Sequence, residues 1–228
     1  MVDRQHFLID FMKFFLTSSG IPTADTQKFF EYVGLPANKI KLAYIPTAGD
    51  PEIDRSWQAD LVKDFGQMGM TVERYDIKGK NAAVLRKDLS AFNVIFVDGG
   101  NTFYLLDHAR KSSFVDALKD LLQDNSRTYV GVSAGSILVG PSIELAGWRP
   151  FNDNNVVGLT DLTGLNLVDV AVFPHYKEEY APLIKDFDKD VKYQIIALPD
   201  ESAVMINDGK IAMIGEYKYF GKKLVEQV

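Results

Sequence analysis

The sequence contains no cysteine among its 228 residues. This absence excludes disulfides, thiolate metal sites and cysteine nucleophiles, so any covalent chemistry would need serine, threonine or a carboxylate. Histidine is also scarce, with three in the whole chain. A reaction that needs an imidazole base therefore has few candidate residues.

The chain also lacks an excess of positive charge and any apolar run approaching the ~20 residues that span a bilayer. Its formal net charge is −6, from 25 basic and 31 acidic residues, which argues against a nucleic-acid or anionic-membrane partner. Charged residues interrupt the apolar N-terminal stretch, which makes it a poor signal peptide. We therefore expect a cytoplasmic protein without nucleic-acid or membrane partners, either a monomer or a homodimer.

Short apolar runs alternate along the chain with longer segments of helical period. The runs are predicted to be strands at 13–16, 41–48, 71–77, 93–100, 128–134, 168–174 and 193–199. Most are apolar on both faces, which is typical of a parallel sheet covered by helices on each side. The helical segments lie at 23–34, 52–69, 102–124 and 180–190. This alternation predicts an α/β fold, a three-layer sandwich with a mostly parallel sheet.

After residue 199 the pattern changes. Asp208-Gly209 lies between alternating apolar residues, which predicts a C-terminal antiparallel hairpin within 202–220. Because the chain has no internal repeat and no linker-like composition, we expect residues 1–228 to form a single domain. Within it, residues 1–11 are either a short helix or an extension upstream of a natural start at Met12.

The segment YVGVSAGSILVG, residues 129–140, matches the G-x-S-x-G pattern of a nucleophile elbow. In such an elbow a strand turns sharply into a helix and exposes the serine hydroxyl at the apex, which here is Ser133. The Ala134 amide would begin the helix and point toward a developing oxyanion. The alternative interpretation is an ordinary turn of small residues, since the pattern also occurs by chance.

A second glycine-rich turn, Asp98-Gly99-Gly100-Asn101-Thr102, ends another predicted strand. The carboxyl ends of parallel strands lie on one edge of a sheet, so this turn is expected to share a crevice with Ser133. Gly100 is the candidate for the second oxyanion donor. Gly99 and Asn101 are candidate substrate contacts. The alternative is a structural turn with an asparagine cap, and the spacing excludes a phosphate-binding loop.

A serine nucleophile needs a base, and His175 is the favoured candidate. It directly follows an apolar predicted strand, at the sheet edge expected for Ser133. By contrast, His6 lies in the N-terminal segment, and His108 lies about two turns into a predicted helix.

The residue expected to orient the imidazole is a carboxylate. Asp153 lies in a polar loop between Ser133 and His175 in the sequence, which makes it the first candidate. Three other acidic residues compete for this role: Glu144, Asp161 and Asp169. A further candidate, for orientation or substrate contact, is Glu201, which follows the strand predicted at 193–199.

Taken together and in this order, the segments FVDGGNTFYLLD, YVGVSAGS…GPSIE and VFPHY resemble the peptidase E and cyanophycinase family of serine peptidases. LTSSG, IPTAG and LPDESAVMINDGK add to a resemblance that covers nearly all of residues 13–215. It implies a fold similar to class I glutamine amidotransferases, with a flavodoxin-like sheet. It also implies Ser133 as nucleophile, His175 as base, oxyanion amides at Ala134 and in the Gly100 turn, and a triad acid from the loop after the elbow, carried here to Asp153.

One feature departs from the family pattern. Peptidase E prefers an amino-terminal aspartate, which an arginine downstream of the histidine recognises, but residues 176–192 contain no arginine. The basic residues of this segment are four lysines: Lys177, Lys185, Lys189 and Lys192. Lysine is a poor substitute for the bidentate guanidinium, so the sequence does not predict aspartyl specificity. The chain also lacks the length and extra loops expected of a cyanophycinase.

The sequence thus predicts a serine peptidase that hydrolyses short peptides without a metal or an organic cofactor. Two alternatives remain open. One is a different acyl hydrolase on the same fold, an esterase or amidase. The other is a non-catalytic binding protein that retains the architecture.

Overall fold

The computed structural model describes residues 12–123, 125–189 and 191–221. Across these residues the strands are β1 (Lys13–Thr17), β2 (Lys41–Ile45), β3 (Thr71–Arg74), β4 (Val94–Val97), β5 (Thr128–Val132), β6 (Val170–Phe173), β7 (Gln194–Ala197), β8 (Ala203–Asn207), β9 (Lys210–Ile214) and β10 (Lys218–Gly221). The α-helices are α1 (Thr26–Val33), α2 (Ser56–Gln67), α3 (Ala82–Leu89), α4 (Thr102–Lys111), α5 (Phe114–Leu121), α6 (Ala134–Leu138) and α7 (Ala181–Phe187).

The larger sheet has the strand order β3-β2-β4-β5-β1-β8-β9. Its first five strands are parallel, and β8 and β9 continue it as an antiparallel hairpin beside β1. The parallel part has the order of a flavodoxin-like sheet, with the first strand of the chain in the fifth position. Because all five parallel strands run the same way, the loops that follow β1, β2, β4 and β5 lie on one edge.

The core occupies both faces of this sheet because the side chains of each buried strand alternate. Phe14 and Leu16 point into one apolar cluster, and Phe15 points into the other. Helices α3 to α7 pack into the cluster that holds Phe14. Helices α1 and α2 cover the opposite face, mainly through Phe29 and Phe65. This arrangement confirms the predicted three-layer α/β fold with a mostly parallel sheet.

The predicted hairpin is also confirmed, with a turn at Asp208-Gly209 in which both residues have positive φ. Two other predicted strands form in their expected segments but do not join the larger sheet. The runs expected at 168–174 and 193–199 form β6 and β7, which pair in parallel in a separate three-stranded sheet. The third member is β10, which leaves the hairpin after Gly215 and pairs antiparallel with β7. An apolar run predicts burial but does not determine which sheet the strand joins.

The helices differ from expectation at two places. The segment 102–124 is divided into α4 and α5 because Ser113 takes a left-handed conformation, with φ 53°. Helix α3 has no counterpart among the predicted helices. Its start is marked by Asn81, whose side chain accepts a hydrogen bond from the Val84 amide and so caps the helix.

Within the described ranges, no helix combines the length and the apolar character needed to cross a membrane. The alternatives considered for residues 1–11 lie outside the described residues, and the single-domain organisation stays a prediction.

Candidate active site

The GVSAG segment forms a tight turn between β5 and α6. Ser133 at its apex has φ 47° and ψ −109°, an unusual conformation for a residue other than glycine. A Cβ atom on Gly131 would lie 2.6 Å from the Gly135 carbonyl oxygen, and one on Gly135 would lie 2.1 Å from the Val97 carbonyl oxygen. At each of these two positions another backbone segment lies too close for any side chain, so both glycines are needed.

Gly135→Ala should lower the free energy of unfolding by about 3 kcal/mol, because the added methyl group meets a β4 carbonyl that no side-chain rotation can move away. Chemical denaturation measures this change. The matched control is Gly66→Ala in α2, where a Cβ atom has open space and a helical backbone, so stability should rise by up to ~1 kcal/mol. A fully stable Gly135→Ala variant would contradict the close packing of the elbow.

The end of β1 holds the elbow in place. The Thr17 carbonyl oxygen accepts a hydrogen bond from the Ser133 amide at 3.1 Å. The Ser136 hydroxyl lies 2.7 Å from this same oxygen and 2.7 Å from the Gly131 carbonyl oxygen. The strained apex is thus fixed by a neighbouring buried strand.

Ser133 follows a strand of the larger sheet and His175 follows a strand of the smaller one, and their side chains lie next to each other. The Oγ atom of Ser133 lies 3.1 Å from Nε2 of His175, a hydrogen-bonding distance. His175 follows β6 after one residue and has φ 52°, and its backbone amide donates to Ser18 Oγ at 2.6 Å. The structure therefore brings together the two residues that the sequence predicts to be nucleophile and base.

Asp200 is the carboxylate on the other side of the imidazole. Its Oδ1 lies 2.8 Å from His175 Nδ1 and accepts a hydrogen bond from Ser18 Oγ at 3.0 Å. Partial burial opposes ionisation of Asp200, but the hydrogen bond and charge of His175 and the hydroxyls of Ser18 and Ser19 outweigh it and lower the pKa of the carboxyl. Asp200 is therefore ionised at neutral pH.

The expectation that Asp153 would orient His175 is not met. Asp153 Oδ2 instead accepts a hydrogen bond from the Thr102 amide at 2.8 Å, at the start of α4. The first amides of a helix lack partners within the helix, and a nearby carboxylate satisfies them well. Burial raises the pKa of Asp153, although the bonds from Thr102 oppose this. Among the described residues, the three competing acids do not hydrogen-bond to His175 either: Glu144, Asp161 and Asp169.

Sequence reasoning missed Asp200, although a signal for it was present. It directly follows the strand predicted at 193–199, just as His175 directly follows the strand predicted at 168–174. Because β6 and β7 are parallel neighbours, the residues that follow them lie at the same edge. The same logic that selected His175 would have selected this segment.

The second glycine-rich turn lies directly beside Ser133. A Cβ atom on Gly99 would come within 3.2 Å of Ser133 Cβ, and one on Gly100 within 2.4 Å of the Ala48 carbonyl oxygen. Gly100 has φ 132°, a conformation that favours glycine. Among the described residues, neither the Gly100 amide nor the Ala134 amide donates a hydrogen bond to another group of the protein. Both are available to a substrate oxygen.

Two candidate substrate contacts have structural partners instead. Asn101 is buried, its Oδ1 accepts from the Tyr104 amide, and its Nδ2 donates to the Asn154 carbonyl oxygen. It caps α4, which was the alternative interpretation of this turn. The Glu201 carboxylate accepts from both the amide and the hydroxyl of Thr23, at 2.6 and 2.8 Å. It fastens the loop after β7 to the loop after β1.

The buried carboxyl of Asp98 stabilises the glycine-rich turn through hydrogen bonds. It accepts hydrogen bonds from the Tyr44 hydroxyl, from Trp57 Nε1 at 3.1 Å and from the Gly99 amide at 2.8 Å. Burial raises the pKa of Asp98 above its ordinary value, while these donors oppose the rise. The network fixes the backbone that presents Gly100.

An aromatic side chain covers one flank of the histidine. The ring of Phe151 lies edge-on to His175 with 6.2 Å between ring centroids, and 4.7 Å from the ring of Phe173. No cluster of three or more histidine or acidic side chains that could hold a metal ion occurs in the part of the chain that the structure describes.

Sequence comparison finds a family model and several proteins to which this chain is similar. The model of Peptidase family S51 matches residues 14–214. An uncharacterized peptidase of Pasteurella multocida is 28% identical over 211 residues, which cover 90% of this chain and 99% of the relative. A protein named Peptidase E from Nostoc sp. is 24% identical over 213 residues, covering 88% of this chain and 82% of the relative.

Solved structures agree on the fold. A Listeria monocytogenes protein named as a candidate peptidase E superposes with a TM-score of 0.73 at 24% identity, covering 89% of this chain and 98% of that one. A peptidase from an acI-B1 Actinobacterium gives a TM-score of 0.66 at 14% identity, covering 95% and 97%. These matches confirm the resemblance that the motifs indicated. Because the family model spans residues 14–214 of the 228, the chain belongs to peptidase family S51.

Proposed function

We propose that this chain is a serine peptidase that hydrolyses short peptides through Ser133, His175 and Asp200. One observation carries the proposal, the hydrogen-bonded series from Ser133 Oγ through both ring nitrogens of His175 to Asp200 Oδ1, with distances of 3.1 and 2.8 Å. The series begins at the apex of a nucleophile elbow. This is the relation among nucleophile, base and orienting group that acyl transfer requires.

Before the reaction Asp200 accepts a hydrogen bond from the Nδ1–H group of His175, and this tautomer leaves the Nε2 lone pair directed at the Ser133 hydroxyl. Ser133 Oγ then attacks the carbonyl carbon of the scissile bond while its proton moves to Nε2. The negative charge that develops on the carbonyl oxygen is stabilised by the amides of Gly100 and Ala134. Each such donor contributes roughly 2.7–4 kcal/mol to catalysis.

The tetrahedral intermediate collapses as the carbon–nitrogen bond breaks and Nε2 returns its proton to the leaving amine. The product is an ester of Ser133. A water molecule then attacks this ester with His175 again acting as base, which releases the acid product and restores the serine. Every step uses water and groups of this chain.

Membership of a peptidase family favours an amide bond of a peptide as the substrate. Several relatives are named Peptidase E, which supports peptide hydrolysis. The absence of arginine from residues 176–192 leaves the side-chain preference open. The cytoplasmic location, the monomer or homodimer state and the lack of nucleic-acid and membrane partners stay predictions.

A serine-reactive fluorophosphonate tests the nucleophile, and a peptide library tests the substrate. We expect the probe to modify Ser133, as located by peptide mapping, because His175 activates its hydroxyl, and we expect dipeptides or tripeptides to be cleaved. The His175→Ala variant, which lacks the base, is the control and should label much more slowly.

The other outcomes separate the alternatives. Modification of Ser133 with turnover of esters or simple amides only would identify a different acyl hydrolase. An unmodified Ser133 together with an uncleaved library would favour a non-catalytic binding protein.

A further inference from the structure

Ser18 follows directly on β1 and contacts two of the three residues of the proposed triad. Its side chain is completely buried. The hydroxyl oxygen accepts a hydrogen bond from the His175 amide at 2.6 Å and donates one to Asp200 Oδ1 at 3.0 Å. A hydroxyl has one proton and two lone pairs, so it can make both bonds at once.

The third member of the triad is held by the preceding residue. The Thr17 carbonyl oxygen accepts from the Ser133 amide, as described above. Strand β1 is paired on both sides, with β5 and with β8. Two consecutive residues at the end of one buried strand therefore contact the nucleophile, the base and the acid.

Both residues that Ser18 contacts need an external support. His175 has a φ of 52°, which is unfavourable for a residue with a Cβ atom and persists only where surrounding contacts hold it. The Asp200 side chain is 63% exposed, so water competes for its oxygens and packing does little to restrict its rotamer. The hydroxyl of Ser18 restrains the backbone of the first and the carboxylate of the second.

We propose that Ser18 is a positioning residue, whose hydroxyl keeps the His175 ring aligned between Ser133 and Asp200. This inference rests on the proposed function. Without the hydroxyl, the His175 amide loses its partner and Asp200 can rotate away from Nδ1. Misplacement of a catalytic group by about 1 Å can reduce a rate about 100-fold.

The test compares Ser18→Ala with Ser112→Ala. Ser112 is also buried, and its hydroxyl bonds to the carbonyl oxygens of His108 and Ala109 at the far end of α4. We expect Ser18→Ala to lower kcat about 10- to 100-fold with KM nearly unchanged, because alignment and not binding is lost. Ser112→Ala should lose similar stability but keep its kcat, as measured on the peptide that the wild type cleaves best.

A second variant and a second measurement make the test independent of folding defects. Ser18→Cys keeps the shape of the side chain with a somewhat larger atom and forms only weak hydrogen bonds, so its kcat should also fall. Carboxyl NMR should show the pKa of Asp200 rising in both variants, because a donor to the ionised carboxylate is removed. The Asp200→Asn variant assigns the signal.

The possible results distinguish this inference from the proposed function. If the wild type neither cleaves peptides nor reacts with the phosphonate, the proposed function fails and this inference fails with it. If Ser133→Ala abolishes turnover while Ser18→Ala and Ser18→Cys keep wild-type kcat, only the role of Ser18 is overturned. An equal loss of kcat in Ser112→Ala would also overturn it, by tracing the effect to stability.

Discussion

Ser133→Ala should lower kcat/KM for peptide hydrolysis by about 10⁴-fold or more, because no ester intermediate can form without the Oγ atom. The free energy of unfolding should change by no more than about 1 kcal/mol, since the hydroxyl makes one hydrogen bond, to a partly exposed His175. Alanine has the same Cβ atom as serine, so the strain at φ 47° is unchanged. Steady-state kinetics and chemical denaturation measure the two quantities.

Ser112→Ala is the control for this experiment too, and it should keep wild-type turnover after the same purification. Ser133→Ala should also lose its labelling by the phosphonate. If the variant hydrolysed peptides at more than about 1% of the wild-type rate, Ser133 could not be the nucleophile. The Ser133 hydroxyl would then form a hydrogen bond with His175 that catalysis does not need.

The layers of the fold could be predicted because burial leaves a direct mark on the sequence. A strand covered on both faces is apolar throughout, as in residues 94–97, and helices between such strands imply parallel pairing. The division into two sheets leaves no such mark. Residues 170–173 and 194–197 are as apolar as the strands of the larger sheet, and their separate pairing depends on packing among distant segments.

Ser133 and His175 could be predicted because each chemical requirement fits a local pattern. The elbow needs glycines at Gly131 and Gly135 for close backbone approach, and a base must lie at the edge where strands end. For the carboxylate the sequence indicates a segment, the end of the strand predicted at 193–199, but not which acidic residue of that segment faces the imidazole. Sequence order favours Asp153, which lies between the two residues, but it does not restrict which loop reaches an imidazole.

The two neighbouring acids of the LPDES segment show that position in the sequence does not reveal which of them faces the imidazole. Asp200 faces His175, while Glu201 has φ 62° and its carboxylate binds Thr23. The direction of each side chain depends on backbone angles in a tight turn after β7. Composition alone does not encode those angles, so the segment could be identified but the residue could not.

Asp200→Asn should lower kcat by about 10²–10³-fold, because an amide can donate to Nδ1 and favour the tautomer that cannot accept the Ser133 proton. The loss is expected to be smaller than for a fully buried triad acid, since Asp200 is 63% exposed and water can partly replace it. Asp153→Asn is the matched control. It keeps an oxygen for the Thr102 amide, so kcat should stay within about threefold. Steady-state kinetics on one peptide compares the kcat of the two variants.

The pH dependence of stability should also change in opposite directions in Asp200→Asn and Asp153→Asn. The folded state lowers the pKa of Asp200, so the ionised carboxylate stabilises the fold above its ordinary pKa, and this contribution is lost as pH falls through the lowered value. The pKa of Asp153 is raised, so its ionisation at neutral pH opposes folding and its protonation at acid pH does not. Asp153→Asn should therefore gain more stability at neutral than at acid pH, whereas Asp200→Asn should lose more at neutral pH. If Asp153→Asn lost as much kcat as Asp200→Asn, the residue that orients His175 would be Asp153, in the loop after the elbow.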